Sequence, residues 1–226
     1  MSISLLGFIS TFIGFIIYSF QYKIPLTPFI KGEPSQLPIL RLRRLPSSTP
    51  MIFVALDLET TGLSLETDTI IEIAAIRFEI ERDGDVFTMS RSEEHSQLIH
   101  PGRVLTQEVT MITGITPAML EGKPDFASVR DKVRDFIGDA VIVGHNVLFD
   151  IAMFATHGID LSANRVIDTF ELSEIFSQDV ESLNLGFLAN RYGLIDPSED
   201  EHRALTDTKV SIRLFLRYLG EVSRIA

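Results

Sequence analysis

Two carboxylates, Asp57 and Glu59, follow directly after an apolar segment, Ile52–Leu56. A short apolar segment bounded by turn residues predicts a buried strand. Alternate side chains of a strand share a face, so Asp57 and Glu59 are expected to point the same way. Two such carboxylates repel each other unless a cation lies between them, and a hard divalent ion such as Mg²⁺ suits that place. The alternative for this pair alone is a strand end with two solvated acids.

Two more acids occur further along the chain. Asp150 ends the segment Gly144–Asp150, which follows an apolar strand predicted at Ala140–Val143 and opens a helix. Asp207 follows His202 by five positions, and on a regular helix their side chains would lie about 140° apart. Asp207 is therefore predicted inside the last helix and His202 in the loop before it. Taken singly, Asp150 could be a helix cap or dipole partner, and His202 an ordinary surface histidine.

The elements that must position these residues follow from hydrophobic periodicity and turn residues. Three consecutive strands, followed by strands that alternate with helices, predict an α/β domain with a mixed sheet covered by helices. Between the second and third strands Asp83-Gly84 predicts a hairpin, and the polar stretch 91–97 predicts a bulge or loop before the third strand resumes. The predicted strands are Ile52–Leu58, Thr69–Ile80, Val86–Met89, Leu98–His100, Ala140–Val143 and Val166–Ile167, and the predicted helices are Phe126–Ile137, Val147–His157, Thr169–Phe176, Asn184–Tyr192 and Ala204–Val222.

Charge is divided unevenly along the 226 residues. The formal net charge is −11, of which residues 1–50 contribute +4 and residues 51–226 contribute −15. An acidic body argues against a module that grips nucleic acid through a broad basic face. It leaves room for an enzyme that meets phosphate through metal ions held by its own acids. The absence of cysteine excludes disulfides and thiolate metal sites.

The N-terminal residues 1–22 are uncharged and rich in Ile, Leu, Phe and Gly. About 20 helical residues span the ~30 Å hydrocarbon core of a bilayer, so this segment predicts a single transmembrane anchor. A signal peptide would need a charged start and a small-residue cleavage site, which are missing. The five basic residues of the first 50 all follow the anchor, which predicts that the body of the chain, residues 51–226, lies in the cytoplasm. If Met51 is the true start, the protein is instead soluble and cytoplasmic.

Residues 23–50 connect this anchor to the body, residues 51–226. Six of the ten prolines lie in the connection, which predicts an extended, semi-rigid tether. Within it, Gln36–Leu40 has some likeness to the short peptides by which replication proteins dock on a sliding clamp, although matches of this length are common by chance.

In their order along the chain, the acidic motifs resemble those of the DEDDh exonuclease superfamily, whose fold is ribonuclease-H-like. The resemblance is greatest to the proofreading epsilon subunit of bacterial DNA polymerase III and its stand-alone relatives. Asp57–Gly62 matches the first motif, His145–Asp150 the second, and His202–Asp207 the third. Ile112–Thr116 matches the loop between motifs, with one departure: Thr113 stands where several epsilon-type members have His.

This resemblance implies a metal-dependent 3′-to-5′ exonuclease that releases nucleoside 5′-monophosphates, in DNA replication or repair. It implies a mixed sheet with helices on both faces, and two divalent ions, Mg²⁺ or Mn²⁺. The implied substrate is nucleic acid with a free 3′ end, in particular single-stranded DNA, and a DNA polymerase or sliding clamp is an implied partner. The implied metal ligands are Asp57, Glu59, Asp150 and Asp207, the general base is His202, and the substrate contacts are Thr60, Thr61, Gly62, Leu63, Glu108, Thr113, His145 and Asn146.

Two other functions remain open at the level of the sequence. One is ribonuclease T-like trimming of RNA 3′ ends, because the catalytic residues would be shared and recognition of the 2′-hydroxyl is not visible in a sequence. Oligoribonucleases typically have Met where this chain has Thr60, which argues against that branch. The other is a catalytically idle, membrane-tethered scaffold that binds nucleic acid, against which the presence of all four acids and the histidine argues.

Overall fold

A computed structural model of the chain describes residues 51–199 and 203–225. The predicted anchor, the tether and His202 lie outside these residues. Among the helices of the described part, none has both the length and the apolar character needed to cross a membrane. The anchor therefore remains a prediction from the sequence.

The described chain is built on a five-stranded mixed sheet with the strand order β3-β2-β1-β4-β5. The central strand β1 is antiparallel to β2 and parallel to β4, β2 is antiparallel to β3, and β4 is parallel to β5. The strands are β1 Phe53–Thr60, β2 Ile70–Asp83, β3 Val86–Leu98, β4 Val141–Gly144 and β5 Val166–Asp168, and the helices are α1 Gln107–Thr113, α2 Pro117–Leu120, α3 Phe126–Ile137, α4 Leu148–Thr156, α5 Thr169–Phe176, α6 Leu185–Tyr192 and α7 Ala204–Ile225.

Helices cover both faces of this sheet, as the sequence predicted. Phe53 and Ala55 of β1 pack in one apolar cluster with residues of α5, α6 and α7. Val54 and Leu56 point to the other face, into a second cluster with residues of α3 and α4. Because side chains alternate along a strand, the positions that continue the row of Phe53 and Ala55 lie on the face covered by α7. Those positions are 57 and 59.

The third strand differs from its prediction. β3 runs without a break from Val86 to Leu98, so the loop predicted over 91–97 is wrong. The predicted irregularity is present as a register shift: Ile80 pairs with Met89 and Phe78 with Ser92, which leaves an extra residue on β3. A polar edge strand lacks the apolar alternation that identifies strands in a sequence. β3 is held in the sheet by its backbone hydrogen bonds to β2 and not by burial of its own side chains.

Two short helices, α1 and α2, were not predicted. Thr106 accepts a hydrogen bond from the backbone N–H of Val109, and Thr116 accepts one from Met119, so each helix begins at a threonine cap. Pro117 occupies the start of α2, where a missing N–H has no cost. These caps were the available sequence evidence, but the helices are too short to show a period.

The packing of β1 generates a stability prediction. Phe53 is fully buried, with ring centroids 5.4 Å from Phe78 and 5.7 Å from Phe215. We expect Phe53→Ala to lower the free energy of unfolding by about 3–5 kcal/mol, the usual effect of emptying such a site. Urea unfolding measures this, and Val86→Ala at the 59% exposed hairpin position is the control, expected to change stability by less than about 0.5 kcal/mol. Equal effects of the two substitutions would contradict the assigned core.

Candidate active site

Three acids from two distant segments meet beside the end of β1. Asp57 and Glu59 lie on the face of β1 that α7 covers, and Asp207 is the fourth residue of α7. One carboxylate oxygen from each of the three can be chosen so that all lie within 4.8 Å of one another. Of the predicted metal ligands, the structure therefore brings together Asp57, Glu59 and Asp207, and it places Asp207 in a helix as expected.

The fourth predicted acid, Asp150, lies in the first turn of α4 and approaches β1 from the other side. Its Oδ1 accepts a hydrogen bond of 2.9 Å from the backbone N–H of Leu58, the residue between Asp57 and Glu59. β4 pairs with β1 only from Phe53 to Ala55, so beyond Ala55 the edge of β1 is open to this carboxylate. Asp150 is outside the group of three, but its charge raises the pKa of Asp57.

Close packing at the turn from β4 to α4 makes this approach possible. A Cβ atom on Gly144 would lie 2.6 Å from the side chain of Val147 and 3.0 Å from the carbonyl oxygen of Leu56. Such contacts are too short for any residue but glycine. Gly144 therefore lets α4 begin against β1, with Asp150 in its first turn.

The acids raise one another's pKa values. Burial and then the charges of Asp150, Asp207 and Glu59 hold the pKa of Asp57 well above its ordinary value. Burial and then the charge of Asp207 raise the pKa of Glu59 to about 8, and burial raises that of Asp150 to about 7. Arg203 acts in the opposite direction on Glu59. A cluster of carboxylate oxygens with this unbalanced charge fits a hard divalent cation, which would reverse these shifts.

The turn after β1 is held in a closed network. Thr60 Oγ1 donates to the carbonyl of Gly62 at 2.7 Å, and Thr61 Oγ1 donates to Asp68 Oδ1 at 2.8 Å. A Cβ on Gly62 would lie 2.4 Å from a carboxylate oxygen of Asp68, so the absence of a side chain at Gly62 makes this packing possible. Leu63, the next residue, is 83% exposed. The turn therefore presents backbone and one large apolar side chain to solvent.

A cation outside the turn completes that network. Arg103 Nη2 lies 2.8 Å from Thr61 Oγ1 and 3.3 Å from Asp68 Oδ1, and it also donates to the carbonyl of Thr67. Hydrogen bonds from the backbone N–H of Ser64 and from Thr61 lower the pKa of Asp68. Asp68 therefore stays ionised as the centre of the turn.

The second motif contains two of the predicted substrate contacts, His145 and Asn146, and only Asn146 has an exposed side chain. Both ring nitrogens of His145 lie near protein oxygens, Nδ1 at 3.0 Å from Thr169 Oγ1 and Nε2 at 2.8 Å from the carbonyl of Leu183. Burial lowers its pKa. Asn146 has a positive φ of 59° and an exposed side chain. A substrate contact is therefore compatible with Asn146 as it stands, whereas His145 would have to give up a bond.

The remaining predicted contacts lie on α1. Glu108 is exposed in its first turn. Thr113 is only 3% exposed, its hydroxyl donates to the carbonyl of Val109 at 2.9 Å, and it accepts from the N–H of Ile115 at 3.1 Å. A substrate contact for Thr113 would require one of these bonds to break.

A buried acid that was not predicted from the sequence, Asp168, lies at the junction of β5 and α5. Its Oδ1 accepts from the N–H of Phe170 at 2.9 Å, as a helix cap, and from the N–H of Asn146 at 2.7 Å. Its charge adds to the raised pKa of Asp150. An acid immediately before a predicted helix was the evidence that could have identified this cap. Asp168 thus fixes the backbone that precedes Asp150.

Comparison with known proteins identifies the family. The RNase T family, described as "Exonuclease", matches residues 54–215, which contain all the acids of the site. The chain belongs to this exonuclease family. The enzyme class predicted from the motifs, a 3′-to-5′ exonuclease, is the one that this membership supports. The exonuclease family depends on divalent metal ions, in agreement with the acidic cluster.

Curated relatives include much longer proteins. The chain is 32% identical over 177 residues to the PolC-type DNA polymerase III of Staphylococcus saprophyticus, and 31% identical over 187 residues to that of Staphylococcus epidermidis. The matches cover 76% and 81% of this chain and 12% of each polymerase. The exonuclease chain therefore corresponds to a small part of these relatives.

Solved structures share the fold. Exonuclease X in complex with 5′ overhanging duplex DNA superimposes with a TM-score of 0.56 at 22% identity, over 75% of this chain and 92% of that one. Escherichia coli exonuclease I in complex with a dT13 oligonucleotide gives 0.59 at 21% identity, over 74% and 40%. The mixed sheet with helices on both faces fits the predicted ribonuclease-H-like fold.

The raised pKa values generate a prediction of pH dependence. The pKa of Glu59 rises from its ordinary 4.5 to about 8 in the folded protein, and that of Asp150 rises to about 7. Between the ordinary and raised values, the folded state keeps protons that the unfolded chain releases, so stability falls as pH rises. We expect the metal-free melting temperature to fall between about pH 5 and about pH 8.

Thermal unfolding in EDTA at constant ionic strength measures this dependence. The matched variant is Glu59→Gln, which removes one titrating group and should flatten the fall. Saturating Mg²⁺ should also flatten it, because the cation compensates the ionised carboxylates. A wild-type melting temperature that stays constant or rises over this interval would contradict the assigned electrostatics.

Proposed function

We propose that this protein hydrolyses DNA from a free 3′ end, releasing nucleoside 5′-monophosphates, and that Asp57, Glu59, Asp150 and Asp207 hold two divalent ions, Mg²⁺ or Mn²⁺. The observation that carries the proposal is the meeting of Asp57, Glu59 and Asp207 within 4.8 Å. The hydrogen bond that holds Asp150 at Leu58 supports it. When bound, the ions would supply positive charge that orients the phosphodiester and stabilises its transition state.

His202 is the proposed general base. It precedes Arg203, which leads directly into the helix of Asp207. An imidazole titrates near neutral pH, so it can accept the proton of the attacking water. The water oxygen forms a bond to phosphorus while the bond from phosphorus to the 3′ oxygen of the preceding nucleotide breaks. The shortened strand then regains a 3′-hydroxyl by taking a proton from solvent.

Substrate binding is assigned to exposed groups around the acids. Leu63 offers an apolar surface to the terminal base, and such stacking tolerates any base. The backbone of Thr61 and Gly62 allows close approach of the terminal nucleotide, and Glu108 and Asn146 are the exposed polar candidates. DNA is the proposed substrate because exonuclease X and exonuclease I were solved with DNA and because the curated relatives are DNA polymerases.

We further propose a place for the enzyme in the cell. Residues 1–22 would anchor it in a membrane with residues 23–50 as tether and the exonuclease domain in the cytoplasm. Its relatives carry the matching segment within a replicative polymerase, which supports a role in replication or repair beside a DNA polymerase or sliding clamp. Membrane fractionation of the full chain, against one that begins at Met51, tests the anchor: recovery of the full chain in the soluble fraction would overturn it.

Activity of the purified full chain tests the reaction. A 5′-labelled single-stranded DNA and its RNA counterpart are incubated with Mg²⁺, Mn²⁺ or EDTA. We expect metal-dependent shortening of DNA from the 3′ end, no detectable activity in Asp57→Ala, and a loss of about 10²–10⁴-fold in His202→Ala. Glu121→Gln, at an exposed carboxylate that is not among the predicted site residues, is the control and should act like the wild type.

Each other outcome has a definite meaning. Faster shortening of RNA than of DNA would replace the DNA substrate with RNA and favour the trimming function. A folded protein that shortens neither substrate with either ion would overturn the exonuclease proposal in favour of a scaffold.

The exposed leucine gives a separate prediction. We expect Leu63→Ala to raise KM for single-stranded DNA by roughly tenfold, since burying a leucine side chain against an apolar surface contributes about 1.5–3 kcal/mol. The rate at saturating substrate should change much less, because Leu63 does not touch the reacting phosphate in this assignment. Steady-state kinetics checks this, with Val86→Ala as an exposed apolar control at the start of β3, where Val86 pairs with Asp83 at the end of β2 remote from Glu72. An unchanged KM would remove Leu63 from the substrate surface.

A further inference from the structure

A fifth acid lies beside the site without belonging to the group of three. Glu72 of β2 is fully buried within the apolar run from Ile70 to Ile76. In the antiparallel ladder it stands directly opposite Glu59, and residues paired in this way extend their side chains on the same face. A buried carboxylate is costly unless it is paired. Glu72 therefore needs a partner inside the protein.

That partner is Arg203, the residue between His202 and α7. Its guanidinium donates hydrogen bonds to both oxygens of the Glu72 carboxylate, with Nε 3.2 Å from Oε2 and Nη2 2.5 Å from Oε1. The backbone N–H of Ala204, the first residue of α7, lies 3.4 Å from the same Oε2. Glu72 thus attaches the beginning of α7 to the sheet.

The attachment continues to the proposed metal ligand. The backbone N–H of Asp207 donates to the carbonyl of Arg203 at 3.0 Å, in the first turn of α7. The position of Arg203 therefore sets the position of Asp207. The charges of the pair also reach the acids, because Glu72 raises the pKa of Glu59 and Arg203 lowers it.

We propose that Glu72 and Arg203 are positioning residues of the metal site, an assignment that rests on the proposed function. Their two-point contact holds the first turn of α7 against β2, so that the carboxylate of Asp207 meets those of Asp57 and Glu59. Neither residue touches the substrate in this assignment.

The direction in which metal affinity changes when Arg203 is neutralised distinguishes a positioning role from a purely electrostatic one. Arg203 is a positive charge near a site for cations, so its field alone weakens metal binding, and its neutralisation would then strengthen binding. Loss of positioning has the opposite consequence, because Asp207 would no longer be held beside Asp57 and Glu59. A pair that served only the fold would change the melting temperature and leave metal affinity unchanged.

The test measures Mn²⁺ binding to the full chain by electron paramagnetic resonance, beside the melting temperature in EDTA. We expect Arg203→Gln and Glu72→Gln to weaken Mn²⁺ binding by about 10–100-fold, the usual effect of losing a residue that orients metal ligands. Arg203→Lys keeps the charge and loses the two-point contact, so it should also weaken binding, by a smaller factor. It decides the matter if Arg203→Gln does not fold.

The control breaks a more exposed ion pair on the same helix. Arg217 Nη2 lies 2.8 Å from Glu221 Oε1, more than two turns beyond Asp207 along α7. Glu221→Gln should leave Mn²⁺ affinity and exonuclease rate unchanged. Its melting temperature also calibrates the cost of losing one ion pair from α7.

The outcomes distinguish this inference from the proposed function. Unchanged or tighter Mn²⁺ binding in folded Arg203→Gln, or unchanged binding in Arg203→Lys, would overturn the positioning role. If the wild type binds Mn²⁺ and degrades DNA while the variants behave like it, only this inference fails. If the wild type does neither, the proposed function itself fails.

Discussion

The mutual repulsion of carboxylates at the end of β1 is the constraint on which the rest of the structure depends. Burial raises the pKa values of Asp57 and Glu59, and the charges of Asp207 and Asp150 raise both further. Left to themselves, such groups would separate into water. They stay together because the strand and the helix that carry them are buried in large apolar clusters on both faces of the sheet. The core thus offsets an arrangement that is locally unfavourable.

The sheet topology explains where this can happen. β1 continues beyond the point at which β4 stops pairing with it, so the edge of β1 there accepts the carboxylate of Asp150. In α/β sheets, ligands bind at the carboxyl ends of the strands. Each acid reaches this end of β1 from an element with its own anchor: the ladder with β2 for Asp57 and Glu59, the N–H of Leu58 for Asp150, and the carbonyl of Arg203 for Asp207. Because these three anchors are separate, the loss of any one of them would displace an acid that the other two cannot hold in place.

The sequence predicted what local chemistry determines. The spacing of Asp57 and Glu59 on a strand, and the helical position of Asp207, follow from backbone geometry, and the order of the motifs pointed to the family. It could not predict the internal hydrogen bonds of Thr113 and His145, two residues expected at the substrate that are also bonded within the protein. Nor could it find the partner of Glu72, since Arg203 is 131 residues away and the pairing exists only once α7 packs on β2.

The charge of the exonuclease domain gives these local contacts their importance. With −15 over residues 51–226, the body repels a nucleic acid backbone and cannot bind it through many phosphate contacts. Under the proposed function, affinity must then be concentrated where cations and an apolar side chain meet the terminal nucleotide. Such a surface recognises a chain end and not a sequence, because every base offers the same faces to Leu63. The concentrated negative charge that makes these acids unfavourable in the folded protein is thus also what lets them hold cations. Only with the cations bound is this acidic surface compatible with a phosphodiester.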